Sequence, residues 1–256
     1  MNSYNPLLIA VLNNKSFELD NLLLQNQNLE EKFNGKTLLM IAVENNYSYI
    51  LTKLLEYGAE TEVIFKNKTP LIIAVENNHS YNVKKLLEYG AKTEVKFKEK
   101  TPLIIAVENN HLYNIEKLLE YGAKTEVRLG GKTPLIVAIQ NNNFNNWIEV
   151  ETINLLLNSG ANPNIIDMNS GDSALFIAVK LRNTKIVELL LIKNANIFFR
   201  NNDISKNDGE TIFKYIINNN LNEIIQLNIF KIIQCINDFA DKYGIHEELI
   251  NIIIGY

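Results

Sequence analysis

The decapeptide TPLIIAVENN occupies positions 69–78 and returns unchanged at positions 101–110. Related versions begin at positions 5, 37 and 133, in step with these two. Two looser versions begin at Ser173 and Thr211, each after a longer step. A fixed period of this length predicts an array of similar units, each burying its apolar face against its neighbours. The chain is therefore expected to form a linear stack rather than one domain around a single core.

Each unit has the pattern of two short helices joined by a turn. In the copy at residue 101, Thr101 is a good N-cap and Pro102 suits the first helical position. An apolar helix follows, and Asn109-Asn110 ends it in the place of a turn glycine. A second helix is expected from Tyr113 to Tyr121, ending at Gly122. A small residue recurs in the first helix, where it lets the neighbouring helix approach closely: Ala10, Ala42, Ala74, Ala106, Ala138 and Ala178.

The phased Thr-Pro-Leu, Ala-Val, Leu-Leu and Gly-Ala elements resemble the ankyrin repeat. The resemblance implies an all-α fold, an α-solenoid of helix-turn-helix units with short β-hairpin fingers. It places the solenoid at residues 1–210, with repeat starts near 5, 37, 69, 101, 133 and 173. Residues 211–256 are expected to form a degenerate last repeat followed by a helical C-terminal cap.

The copies depart from the family pattern in their length. The regular starts are one residue closer together than the family's usual period of about 33 residues, and the missing residue falls in the finger. The finger also lacks the family's Asp-x-x-Gly turn, so fingers one to three are expected to be tight and rich in lysine and aromatic residues. The longer step from 133 to 173 is assigned to six extra residues between the helices, at 143–152, and two in the finger at 162–172.

The resemblance implies that a partner protein contacts the finger tips and the exposed side of the first helices. Carried over by position, the expected partner-binding residues are Glu44, Asn45, Phe65, Lys66, Glu76, Asn77, Phe97, Lys98, Glu108, Asn109, Arg128, Gln140 and Asn141. An alternative stays open: the repeated Glu-Asn positions form a solvated face that duplication copied without selection for binding. Successive side chains of an extended finger point to opposite faces, so Phe65 and Phe97 could also face a neighbouring finger.

Other conspicuous residues favour structural roles. The resemblance implies that His79 and His111 are turn residues with local hydrogen bonds. Two histidines without further ligands do not make a zinc site. Trp147, the single tryptophan, is expected to fold back over the outer face, and Cys235 to be a buried small side chain. Nucleophile-base pairs, phosphate loops and metal-ligand spacings are not apparent, so no enzyme activity, cofactor or metal is predicted.

Composition also limits the classes of partner that the sequence predicts. The net charge of −4 and the scarcity of arginine argue against a nucleic-acid partner. Apolar runs are too short to span a bilayer, and the N-terminal residues lack the pattern of a signal peptide. These observations predict a cytoplasmic protein without membrane contact, monomeric alone or a subunit of a hetero-complex.

The predicted function is a non-enzymatic protein–protein interaction module or scaffold. Two alternatives remain open at this point. Residues 245–254 faintly resemble the opening of an F-box-like segment, which would make the chain a substrate-receptor subunit of a ubiquitin ligase rather than a plainly capped solenoid. The chain could also be a structural subunit of a large assembly.

Overall fold

Short helices in pairs make up the protein wherever its structure is described. The computed structural model describes residues 5–25, 28–141 and 147–197. In chain order the helices of this part are α1 (Pro6–Leu12), α2 (Ser16–Leu23), α3 (Leu38–Glu44), α4 (Ser48–Glu56), α5 (Pro70–Glu76), α6 (Ser80–Glu88), α7 (Pro102–Glu108), α8 (Leu112–Glu120), α9 (Pro134–Gln140), α10 (Trp147–Asn158), α11 (Ala174–Lys180) and α12 (Thr184–Ile192). Odd-numbered helices are the first and even-numbered helices the second of each repeat.

The first helices begin where the sequence supplies a cap. The hydroxyls of Thr69 and Thr101 accept the backbone N–H of Ile72 and Ile104, each at 3.4 Å. A proline follows both threonines at the first helical position, as predicted. Thr133 departs from this pattern, because its buried hydroxyl makes no hydrogen bond with the described residues.

Left-handed residues end the helices at the predicted places. Asn110 follows α7 with φ of 56°, and Gly122 follows α8 with φ of 80°. The N–H of Gly122 reaches the carbonyl of Leu119, and the N–H of Ala123 reaches that of Leu118. These two bonds are the Schellman arrangement, which satisfies carbonyls that the helix itself leaves open.

The chain divides into two compact units between Val127 and Arg128. In unit 1, first helices pack on first helices from α1 through α3 and α5 to α7, and second helices likewise from α2 to α8. In unit 2, α9 packs on α11 and α10 on α12. The recurrent alanines of the first helices are all buried, consistent with their predicted role in close helix approach.

The fingers are minimal hairpins. Phe65 and Lys68 exchange both backbone hydrogen bonds at 3.0 Å, with only two residues between them. The same single bridge recurs at Phe33 and Lys36, at 97 and 100, and at 129 and 132. The tight fingers predicted from the shortened period are confirmed. The described residues contain isolated bridges, including a wider one between Ile166 and Ser173, and no extended strand.

The predicted insertions are visible in part. Helix α10 has 12 residues, whereas α8 has nine, so part of the insertion lengthens the second helix. The predicted degenerate repeat, the C-terminal cap, Cys235 and the F-box-like segment lie outside the described residues. None of the described helices combines the length and apolar character needed to cross a membrane.

Candidate interaction surface

A groove in unit 1 brings together several residues that the sequence singled out. It has a volume of about 300 Å³ and lies between the fingers and the first helices of the second and third repeats. The lining consists of Lys36, Glu44, Phe65, Lys66, Lys68, Ile73, Glu76 and Asn77. Five of these eight were predicted partner-binding residues. Phe97, Lys98, Glu108 and Asn109 occupy the equivalent positions one repeat later, and Asn45 follows Glu44 at the end of α3.

Each glutamate that ends a first helix is paired with a lysine of a finger. Lys68 Nζ lies 2.6 Å from Glu76 Oε2, and Lys100 Nζ lies 2.6 Å from Glu108 Oε2. Lys36 and Glu44 form the same pair one repeat earlier. All these side chains are partly exposed, so each pair contributes at most about 1 kcal/mol to stability. In each pair the finger lysine and the helix-ending glutamate thus neutralise one another's charge.

Sequence reasoning missed the lysines of these pairs, although a signal was present. A lysine stands immediately before the capping threonine in four copies, at 36, 68, 100 and 132. The lysine precedes the first helix and its glutamate ends that helix. The i, i+3 and i, i+4 spacings of residues within one helix therefore do not predict this ion pair.

The asparagines after these glutamates do not all behave alike. The side-chain amides of Asn45 and Asn109 donate to the carbonyls of Ile41 and Ile105 at 2.8 Å, closing the ends of their own helices. Asn77 makes no such side-chain bond with the described residues, and it lines the groove. Among these three, Asn77 is the one whose side-chain amide makes no hydrogen bond with the described residues.

The finger phenylalanines form walls between neighbouring fingers. The ring of Phe65 has Lys36 Nζ and Lys66 Nζ each 5.3 Å from its centroid, and it covers Gly35. The ring of Phe97 likewise has two ammonium groups near it, those of Lys68 at 4.5 Å and Lys98 at 5.3 Å. Both rings are half-buried, so the alternative of packing against a neighbouring finger describes their position. Such contacts contribute roughly 0.5–1 kcal/mol each at exposed sites.

Lys66 and Lys98 stand at the turns themselves. Their backbones are left-handed, with φ of 50° and 51°, and so are those of the residues that follow them, Asn67 and Glu99. Two successive positive φ angles define the type I′ hairpin turn, which fits a two-residue loop. Neither ammonium group forms an ion pair with a carboxylate among the described residues. Both are exposed on the finger side of unit 1.

Two of the three predicted residues of unit 2, Arg128 and Gln140, bond to the next finger. Arg128 Nη1 donates to the carbonyls of Gly131 at 2.6 Å and Ile166 at 2.9 Å. Gln140 Nε2 donates to Asp167 Oδ2 at 3.2 Å. Asn141 is the C-cap of α9, and its N–H reaches the Val137 carbonyl at 2.9 Å. Arg128 thus links its own finger to the next finger, and Gln140 links helix α9 to that same next finger.

Unit 2 also carries one ion pair with the charges exchanged. Asp172 stands at the position of Lys68 and Lys180 at the position of Glu76, and their charged atoms lie 2.8 Å apart. Lys180 Nζ is also 4.7 Å from the centroid of the Phe176 ring. The pairing of opposite charges across the start of the helix is thus retained while their order is reversed.

Neighbouring repeats are joined through backbone groups. Glu62 Oε1 accepts the N–H of Lys92, and Glu94 Oε1 accepts that of Lys124, both at 3.0 Å. Glu30 accepts the N–H of Glu60 in the same way at 2.9 Å. Sequence reasoning missed these three glutamates, because a side chain bonded to a distant backbone group leaves no paired residue type to find.

The two aligned histidines also bond between repeats. His79 Nδ1 lies 2.9 Å from the Val43 carbonyl, and His111 Nδ1 lies 2.9 Å from that of Val75. The prediction of local bonds was wrong, since each bond spans 36 residues to the preceding repeat. At His111, burial lowers the pKa of the imidazole, and the bond to the Val75 carbonyl opposes that shift. Among the described residues no cluster of three potential metal ligands occurs.

Trp147 does not fold back over the outer face. It is the first residue of α10, and 69% of its surface is exposed. The prediction failed because the inserted residues extend the helix, which carries the tryptophan away from the core.

Capped helix pairs with short fingers, stacked on one another within each unit, define a helical repeat protein with a groove on its finger side. A family model that describes three consecutive ankyrin repeats matches this chain over overlapping stretches that together run from residue 7 to 237. The chain belongs to the ankyrin repeat family.

Three relatives illustrate the match. A putative ankyrin repeat protein, L92, of Acanthamoeba polyphaga mimivirus is 41% identical over 78 residues, which are 27% of this chain and 19% of that protein. The chain therefore aligns with only a small part of this relative's length. The ankyrin repeat domain of Bcl-3, a member of the IkappaB family, superposes with a TM-score of 0.69 at 25% identity, covering 84% of this chain and 94% of the domain. An ankyrin repeat domain from Acinetobacter baumannii gives 0.68 at 26% identity, covering 74% and 98%.

Proposed function

We propose that the chain is a non-enzymatic interaction module that binds another protein along the finger side of unit 1. Ankyrin repeats are in general protein–protein interaction modules, and this supports the class of function. The observation that carries the location is the groove, because it gathers charged, amide and aromatic groups in one concave place. Ligand sites are typically concave and combine apolar walls with a few convergent polar groups.

The mechanism rests on preorganisation. Type I′ turns, bonds between fingers and capped first helices fix the side chains of the groove before a partner arrives. The groove then loses less conformational entropy on binding than a mobile surface would. No chemical step on the partner is part of this proposal.

Site-specific photo-crosslinking in cells tests the location. A photoreactive amino acid at position 77 reports on the groove, and the same amino acid at the exposed position 84 of α6 serves as the control. We expect protein adducts from position 77 that are absent or much weaker from position 84. Equal adducts, or adducts from position 84 alone, would place the interaction elsewhere.

A pair of aromatic substitutions tests the finger walls. Phe65→Ala with Phe97→Ala is expected to weaken capture of the crosslinked partner while circular dichroism shows unchanged helicity. Tyr57→Ala with Tyr89→Ala is the matched control, because these tyrosines are also one repeat apart and are 43% and 42% exposed at the ends of the second helices. Undiminished capture by the phenylalanine variant would contradict a role for the fingers in binding.

A further inference from the structure

We infer that the partner segment held by unit 1 is acidic and extended, with two carboxylates three residues apart. The inference rests on the proposed function and adds the chemistry and register of the partner. It starts from the two turn lysines, Lys66 and Lys98, which occupy equivalent positions in adjacent repeats.

The charges around the groove leave these lysines uncompensated. Lys36 and Lys68 are each paired with a glutamate of a first helix, so their charges are largely cancelled. The ammonium group of Lys66 lies beside the Phe65 ring and forms no ion pair with a carboxylate in the described part of the chain. In the next repeat Glu99 follows Lys98 directly, yet its carboxylate lies toward Lys96, at 3.9 Å. A partner with negative charge complements both turns.

The general spacing of adjacent repeats supplies the register that we assign to that partner. Neighbouring helices pack at about 8–10 Å, so equivalent residues of adjacent repeats lie roughly that far apart. A polyproline II segment has three residues per turn and rises about 3.1 Å per residue, so residues i and i+3 face the same side about 9 Å apart. In a β-strand, by contrast, residues i and i+3 point to opposite faces. Two carboxylates three residues apart in a polyproline II segment therefore match the two turn lysines.

Between the two turns, the groove offers contacts for the rest of such a segment. The Asn77 amide can bond to a backbone carbonyl that an extended peptide leaves open, because polyproline II has no internal hydrogen bonds. The Phe65 ring and the edge of Ile73 provide apolar surface beside it. A segment with proline between its acidic residues would be ordered before binding and would lose little entropy.

Fluorescence anisotropy with the full chain tests this inference. The probe is a labelled synthetic peptide of repeated Asp-Ala-Pro. The comparison peptides are one of equal composition with its aspartates adjacent to one another, and repeated Lys-Ala-Pro. We expect the regularly spaced acidic peptide to bind most tightly and its affinity to fall as salt is added. Equal binding of the clustered peptide, or tighter binding of the lysine peptide or of a single-stranded oligonucleotide, would overturn the inference.

Charge-matched variants locate the binding. Lys66→Gln with Lys98→Gln is expected to weaken binding of the Asp-Ala-Pro peptide roughly five- to tenfold, as two exposed ion pairs would. Lys92→Gln with Lys124→Gln removes the same charge from exposed lysines one repeat apart, and it is expected to change the affinity less than twofold. An unchanged affinity in the first variant, or an equal loss in the second, would overturn the inference. If these tests fail while position 77 still crosslinks to a protein, the proposed function stands and only the acidic register is wrong.

Discussion

His111 shows how one residue can link a repeat to the one before it. Its ring nitrogen bonds to the Val75 carbonyl, and the surrounding repeat removes part of the ring from water. Burial disfavours the charged imidazole, so the pKa of His111 is lower in the folded chain than the value of about 6.5 expected when unfolded.

The sign of the resulting pH dependence follows from linkage. Above the unfolded pKa both states hold a neutral ring, and the contribution of His111 to stability is complete. As the pH falls from the unfolded pKa toward the lower folded pKa, the unfolded chain binds a proton that the folded chain does not, and this contribution is lost. We expect the stability advantage of the natural chain over His111→Gln, measured by urea unfolding, to be smaller at pH 5.5 than at pH 7.5. An advantage that grows on acidification would contradict the assigned shift.

Single residues also mark the limit of what the sequence could predict. The capping threonines, helix-ending asparagines and buried alanines were predictable, because each depends on its own local geometry. The partner atoms of Glu62, Glu94 and His111 were not, because these side chains bond to backbone groups in the adjacent repeat, far away along the chain. A backbone N–H or carbonyl is present at nearly every residue, so the sequence carries no sign of which one is used.

The finger is the element in which local preference and observed geometry disagree. Finger one has Asn34-Gly35 at its turn, the pair that best suits a type I′ turn, whereas finger three has Lys98-Glu99 in the same conformation. A non-glycine residue held at positive φ costs roughly 1 kcal/mol. The shortened finger was predictable from the period, but the conformation of its turn followed only from the structure.

Relief of this strain should stabilise the protein. Glu99 has φ of 64°, and Glu99→Gly is expected to raise the free energy of unfolding by about 0.5–1 kcal/mol while keeping Lys98 in place. Urea unfolding followed by circular dichroism measures the change. The mirror control is Gly35→Ala, where φ is 83° and an added Cβ would lie 2.9 Å from the Phe65 ring. That variant should be destabilised, and a loss of stability in Glu99→Gly would show that the turn is not strained.

At the scale of the whole molecule, nearest-neighbour contacts hold each unit together. Within unit 1, neighbouring first helices pack on one another from α1 to α7, and neighbouring second helices from α2 to α8. Glu30, Glu62 and Glu94 each add one charge-assisted hydrogen bond to a backbone N–H of the following repeat. We call these three contacts between repeats joints. Stability in such an array is approximately a sum of terms for single repeats and for the joints between them.

Loss of two joint bonds should therefore lower stability measurably. Glu62→Ala with Glu94→Ala is expected to reduce the free energy of unfolding by about 1 kcal/mol for each site, because each leaves a backbone N–H without its acceptor. Glu62→Gln with Glu94→Gln retains an acceptor oxygen and should lose less. Glu60→Ala is the control, since the Glu60 carboxylate is exposed and only its backbone N–H takes part in a joint. If the alanine pair is as stable as the control, the joints contribute nothing measurable.

The side chains at these joints bond to backbone atoms, and this has a consequence for how the chain gained its repeats. Glu62 and Glu94 accept a hydrogen bond from a backbone N–H, and His79 and His111 bond to a backbone carbonyl. Every amino acid except proline offers that N–H, and every one offers the carbonyl. A whole repeat inserted or deleted by recombination would meet a compatible neighbour at once, with no compensating change beside it. Backbone-directed joints thus make the number of repeats free to vary, and two identical decapeptides in one chain are a natural trace of that freedom.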